Sequence, residues 1–166
     1  MDKEFVNMVN ANRGIIYKVC NLYFSEEEDK RDLFQEIVLQ LWKSYPSFAK
    51  MSLLSTWIYR VALNTAISSF RRAKVKPSCK PISVLEFDIP DLVQSAKQNE
   101  RLHLLMDAIQ HLSKVEKAVI LLYLEEKSYE EMSDIMGVSK TNIGTKINRI
   151  KTKLETIIKS VRDESR

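Results

Sequence analysis

The sequence is poor in glycine, proline, cysteine and histidine, with 3, 4, 2 and 2 of them among 166 residues. The glycines Gly14, Gly137 and Gly144 stand alone. They cannot form the Gly-rich loop that cradles phosphates, so a Walker loop and a dinucleotide fingerprint are excluded. Tight hairpins ask for Gly or Asn-Gly pairs, and their shortage argues against an all-β fold. Cys20 and Cys79 lie far apart, and neither His103 nor His111 stands at ligand spacing from them. No metal site and no cofactor are therefore expected, and the thiols read as reduced and cytosolic. No Ser/His/Asp, Cys/His or metal-ligand cluster can be assembled, so an enzyme is not expected. Long apolar runs are missing too. The longest, Ala118 to Leu124, has seven residues, against the roughly 20 that a bilayer-spanning helix needs. Met1-Asp2-Lys3-Glu4 lacks the charged-then-apolar order of a signal peptide. The expectation is a soluble, cytoplasmic chain with no membrane insertion.

Two strongly basic stretches contain no acidic residue. Between Glu36 and Glu86 there is none, while Lys43, Lys50, Arg60, Arg71, Arg72, Lys74, Lys76 and Lys80 bring the stretch to +8. From Gly137 to Leu154 there is again none, and Lys140, Lys146, Arg149, Lys151 and Lys153 give +5. Acids gather just ahead of each block, at Glu26 to Glu36 and at Glu125 to Asp134. The overall +4 conceals this pattern. Two separated basic blocks suit a polyanion gripped at two places, which points to nucleic acid; the plainer alternative is a pair of solvated basic faces.

Apolar periodicity makes both halves helical. A first helix is expected from about Glu4 to Tyr23. Ser25-Glu26-Glu27-Glu28 reads as a capping box opening a second helix, which stops before Pro46. A third runs from about Ser55 to Arg72. Pro77, Pro81 and Pro90 mark a linker, because proline removes a backbone donor and disfavours helix before it. Beyond it lie a helix through Leu102 to Leu112, capping boxes at Ser113-Lys114-Val115-Glu116 and Ser128-Tyr129-Glu130-Glu131, and a last helix from Lys140 to about Val161. The fold class is all-α: two small helical domains, 1–73 and 100–166, joined by a proline-containing linker at 74–99.

Ser128 to Ile143 carries the strongest local signal. A short helix reaches Gly137, where a left-handed backbone is easiest, and Ser139 restarts a helix. Ser133 lies four residues before that glycine and Ile143 six after, the spacing of a DNA-binding helix-turn-helix. At about 100° per residue, Ile143, Ile147, Ile150 and Leu154 share one face. Thr141, Asn142, Thr145, Asn148, Arg149 and Thr152 take the other, with Lys140, Lys146, Lys151 and Lys153 on the flanks. Hydroxyls, amides and a guanidinium suit base edges, and lysines suit phosphates. In the first half, Trp57, Tyr59 and Phe70 sit among Arg60, Arg71 and Arg72. Aromatics among cations can stack on bases, although Trp57 and Tyr59 are more often core or half-buried residues.

Asp32-Leu33-Phe34-Gln35-Glu36 with Leu41-Trp42, followed by Ser55-Thr56-Trp57-Ile58-Tyr59-Arg60-Val61-Ala62-Leu63-Asn64-Thr65-Ala66, resembles the second conserved region of bacterial RNA polymerase sigma factors. Leu112 through Leu154 resembles their fourth region. The two-domain extracytoplasmic-function group is the most similar. That resemblance implies a promoter-specificity subunit of RNA polymerase that also assists promoter melting. Asp32, Leu33, Gln35, Glu36, Leu41 and Trp42 would dock on the clamp helices of the largest polymerase subunit. Ser52, Ser55, Thr56, Trp57, Tyr59, Arg60, Asn64, Arg71 and Arg72 would engage the −10 element, with Asn64 near an extruded base. Ser139, Lys140, Thr141, Asn142, Thr145, Lys146, Asn148 and Arg149 would read the −35 element. The implied partners are core RNA polymerase (clamp helices and flap region), promoter DNA and an anti-sigma factor, often membrane-bound in the family. The loop Phe48 to Leu54 departs from the family's Phe-Arg-Gly pattern, and Ser133 stands where Ala is usual. The alternative is a stand-alone helix-turn-helix regulator that binds an operator without polymerase.

Overall fold

In the computed structural model, residues 2–48, 52–72 and 100–165 are described; the linker expected at 74–99 and part of the 48–54 loop lie outside them. Every regular element among them is helical. The chain divides into two compact units, Met1–Ile89 and Pro90–Arg166.

The first unit holds α1 (Lys3–Ala11), α2 (Arg13–Tyr23), α3 (Glu27–Ser44), a single 3-10 turn at Tyr45–Ser47, and α4 (Leu54–Arg72). The single helix expected from Glu4 to Tyr23 is two helices. Asn12 interrupts it with φ −117° and ψ 12°. Its side-chain amide donates to the Met8 carbonyl at 2.9 Å, the local competition with the helix ladder that makes Asn a helix interrupter. The Ser25 capping box is also corrected. Glu26 holds the N-cap position of α3, with no side-chain capping bond. Helix α3 instead begins on Glu27, Glu28 and Asp29, whose charges favour the positive end of the helix dipole.

Helices α2, α3 and α4 pack pairwise into one core. Phe5, Ile16, Ile37, Leu41, Ile58 and Leu63 are fully enclosed within this unit. Aromatic rings close one end: Phe5 meets Trp42 edge-on at 4.9 Å and Tyr45 at 5.3 Å, and Phe48 stacks on Trp57 at 4.7 Å. Such ring pairs are worth about 0.5–1.5 kcal/mol beyond their buried area. Cys20 is buried in the same core, and burial pushes its thiol up to about 12, which leaves it inert as a nucleophile.

The second unit holds α5 (Glu100–Gln110), α6 (Lys114–Leu124), α7 (Tyr129–Met136) and α8 (Lys140–Glu164). Both capping boxes expected here are formed. The Ser113 N–H donates to Glu116 at 2.8 Å and the Glu116 N–H to the Ser113 hydroxyl at 3.2 Å. Ser128 and Glu131 repeat the exchange at 2.8 and 3.1 Å. Helix α8 packs on α5, α6 and α7 through the buried stripe Ile143, Ile147, Ile150 and Leu154. That stripe matches the helical arithmetic residue for residue. None of the described helices is long and apolar enough to cross a membrane.

Candidate nucleic-acid interface

The turn between α7 and α8 is built from three short-range choices. Gly137 closes α7 in the left-handed region, with φ 68° and ψ 30°, and its N–H donates to the Ser133 carbonyl at 2.9 Å. The Ser133 hydroxyl donates to the Val138 carbonyl, a bond that the alanine usual at this position could not make. The Ser139 hydroxyl then accepts the Asn142 N–H at 3.2 Å and caps α8. Two helices are thereby locked at a fixed angle around a tight turn, and the first turns of α8 face outward.

With its apolar stripe buried, α8 exposes Lys140, Thr141, Asn142, Thr145, Asn148 and Arg149, while Lys146 is half-buried. Thr145 spends its hydroxyl proton on the Thr141 carbonyl at 3.0 Å, so it offers an outside partner an acceptor oxygen and a methyl group. Asn142, Asn148 and Arg149 present amide and guanidinium groups of the kind that bond base edges bidentately. Gly144 lies beneath the Tyr129 ring, where an added Cβ would stand 3.5 Å from the ring edge. That is ordinary contact, so packing does not demand glycine there.

The lysines on the flanks are less free than the sequence suggests. Lys140 lies 3.7 Å from Glu130, and Lys153 lies 2.9 Å from Glu116. Lys151 sits over the Tyr123 ring at 4.4 Å, and hydrogen bonding to Tyr123 raises its ammonium above the usual lysine value. Sequence reasoning missed Glu116, Tyr123 and Glu130. Glu116 had an evident local task as a cap, and no helical spacing connects it to a lysine 37 residues away.

In the first unit, α3 presents Asp32 as exposed and Gln35 and Glu36 as half-buried, on one face at i, i+3 and i+4. Leu33 and Leu41 are core residues, 2% and 0% exposed. Trp42 is half-buried against Phe5. Thr56, Trp57 and Tyr59 are buried, at 4%, 8% and 2% exposure. With Ile58 between them also buried, four consecutive residues at the start of α4 are enclosed, which spans the whole circumference of the helix. Ser52, Ser55 and Arg60 are half-buried and Asn64 is exposed. Arg71 and Arg72 end α4.

One groove joins two predicted sets. Glu36, Gln40 and Ser44 of α3 face Val61, Asn64, Thr65 and Ser68 of α4 across an open volume of about 310 Å³. The Ser44 and Thr65 hydroxyls already donate to Gln40 and Val61 carbonyls, at 2.8 and 2.7 Å. Glu36, Gln40, Asn64 and Ser68 therefore remain as the polar side chains that could meet a ligand.

Comparison with known proteins follows the same division. The family profile for sigma-70 region 2 matches residues 8–75, and that for sigma-70 region 4 matches residues 102–154. The chain is 32% identical over 163 residues to the ECF RNA polymerase sigma factor SigG of Mycobacterium tuberculosis, an alignment covering 81% of this chain and 43% of that protein. The chain thus spans less than half the length of that relative. It is 31% identical over 150 residues to the RNA polymerase sigma factor YlaC of Bacillus subtilis, covering 84% of this chain and 83% of that one. Among solved structures, the sigma factor RpoE of Bartonella quintana, in complex with the anti-sigma factor NepR, shares the fold with a TM-score of 0.67 at 20% identity, over 95% of this chain and 98% of that one.

Proposed function

Since the chain belongs to the sigma-70 family of RNA polymerase sigma factors, in its extracytoplasmic-function group, we propose that it directs core RNA polymerase to specific promoters and assists promoter melting. The observation that carries this reading is α8: a helix buried along one face, free of acid from Lys140 to Leu154, with amides, hydroxyls and a guanidinium outward. Sigma factors are initiation factors without chemistry of their own, and the polymerase would supply the catalytic step here, in the cytoplasm where it resides.

Residues 1–73 would form the polymerase-binding and −10 domain and 100–166 the −35 domain. Asp32, Gln35 and Glu36 would meet the clamp helices, with Leu33, Leu41 and Trp42 shaping α3 from behind. On the −10 side, Arg60, Arg71 and Arg72 would hold backbone phosphates and Asn64 a base, while buried Thr56, Trp57 and Tyr59 would keep α4 rigid. Ser139, Lys140, Thr141, Asn142, Thr145, Lys146, Asn148 and Arg149 would form the −35 surface, with bases read chiefly by Asn142, Asn148 and Arg149. Energy for opening the duplex would come from binding, including capture of an unstacked base. An anti-sigma partner is part of the proposal, since a relative of the same fold was solved bound to one.

The test is transcription from a defined promoter. Chain plus core polymerase should initiate at a fixed start, and chain alone should leave little specific footprint. Arg149→Ala and Asn142→Ala should each cost about 1–3 kcal/mol at their own base position, read as a changed −35 preference across promoter variants. Tight operator-like binding without core would replace the sigma reading with that of a stand-alone regulator. Equal losses on every −35 variant would remove these two residues from base reading.

A further inference from the structure

Asn142, Lys146, Arg149 and Lys153 are spaced by four, three and four residues, so they fall within about 60° of arc along α8. Lys153 is the fourth member of that line, and it follows Arg149 by about 6 Å along the axis. A cation there would extend the contact track from the base-reading turns toward the neighbouring phosphates. It is not free to do so. Its ammonium lies 2.9 Å from Glu116 Oε2, and the same oxygen accepts the Ser113 N–H at 2.8 Å.

The double use of one oxygen separates this pair from an ordinary surface ion pair. A carboxylate on a mobile side chain loses rotamer freedom when it binds a lysine, which leaves little net gain. The Glu116 carboxylate has already lost that freedom to the capping box of α6. Its charge stands fixed beside the lysine, half-shielded, with side-chain exposures of 30% for Glu116 and 44% for Lys153. Burial acts to raise the Glu116 carboxyl, but the Ser113 N–H and Lys153 outweigh it and hold it below the usual value. At neutral pH the glutamate is therefore fully charged.

We propose that Glu116 is an affinity-setting residue: a fixed anion that masks Lys153 and keeps it from a promoter phosphate. The inference rests on the reading of α8 as the −35 helix. Glu116 lowers affinity by neutralising one cation of the contact line. A sigma factor that must release the −35 element after initiation gains from a weaker electrostatic grip, while base preference, carried by Asn142 and Arg149, is untouched.

Glu116→Gln is the discriminating variant, because glutamine also serves at the third position of a capping box. Promoter binding by the full chain with core polymerase is measured against salt concentration for wild type, Glu116→Gln, Lys153→Met and the double variant. Freeing Lys153 should steepen the slope of log K against log salt by about 0.9, the increment for one further phosphate contact. At low salt Glu116→Gln should bind up to about fivefold more tightly, the limit set by breaking an exposed ion pair. Adding Lys153→Met should abolish both changes. A slope unchanged in Glu116→Gln overturns the mask, and so does a loss of affinity equal at every salt concentration, which marks a purely structural role. A gain that persists in the double variant overturns the assignment to Lys153. A wild-type complex whose binding ignores salt and −35 sequence removes the DNA reading of α8 itself, and the mask falls with it.

Discussion

At the scale of single residues, two glycines of the helix-turn-helix make opposite demands. Gly137 occupies the left-handed region, and no heavy atom stands within 4 Å of an added Cβ. Gly137→Ala should therefore lose about 1–2 kcal/mol through the backbone alone. Gly144 lies inside α8 with an ordinary contact to Tyr129 awaiting a methyl group. Gly144→Ala should raise stability, by up to about 1 kcal/mol, through helix propensity. Denaturant midpoints of the two variants should move in opposite directions. A fall in both would mean that Tyr129 cannot accept the added methyl group. The positive φ at Gly137 was legible in the sequence, because a turn residue between two caps has few alternatives. The surroundings of Gly144 were not, since its neighbour comes from the preceding helix across the turn.

At the scale of elements, the capping boxes act as units. Ser113→Ala and Ser128→Ala should each cost about 1 kcal/mol of the second unit's stability. Ser25→Ala should stay within about 0.5 kcal/mol, because Ser25 lies outside α3 and caps nothing. Equal losses in all three would show that the hydroxyls contribute something other than caps. Acid should expose the same units. The Glu131 carboxyl is lowered chiefly by the Ser128 N–H, and Glu116 is lowered despite burial. A carboxyl lowered in the folded state stabilises fully above its unfolded value, near 4.5, and that contribution disappears as pH falls through the folded value. Thermal midpoints of the second unit should therefore decline below about pH 4.5, and less so in Glu131→Gln. Of the three strings read as capping boxes, at Ser25, Ser113 and Ser128, the last two form them. At Ser25 the helix begins one residue later, at Glu27, where the acidic run already satisfies the helix dipole.

At the scale of the whole molecule, the two units face different partners in the proposed complex. Asp32 and Gln35 lie on the outward face of α3, whereas Leu33 and Leu41 support that helix from within. Asp32→Ala with Gln35→Ala should weaken retention by core polymerase at unchanged stability, as measured by co-purification and thermal midpoint together. Leu41→Ala should instead lose about 2–5 kcal/mol of stability, and any loss of polymerase binding should follow from unfolding. Undiminished retention in the Asp32/Gln35 variant would move the docking surface off α3.

Patterns of short range were determined by the sequence alone. The all-α class, the buried stripe of α8, two capping boxes, the turn at Gly137 and the two acid-free blocks follow from spacings within one or two helical turns, where chain connectivity dictates who can meet whom. The scarcity of glycine made Gly137 legible as a left-handed turn, but it did not disclose Glu126, which takes φ 57° after α6 without being a glycine. Tertiary structure decided which side of an ambiguous residue faces inward. Trp57 and Tyr59 read more readily as core than as bases' neighbours, and the structure buries both rings, that of Trp57 beside Tyr45 and Phe48. Lys153 read as a phosphate ligand until Glu116, 37 residues away, was brought within 2.9 Å of it. Charge acts through space, and only the packing of α6 on α8 sets that distance.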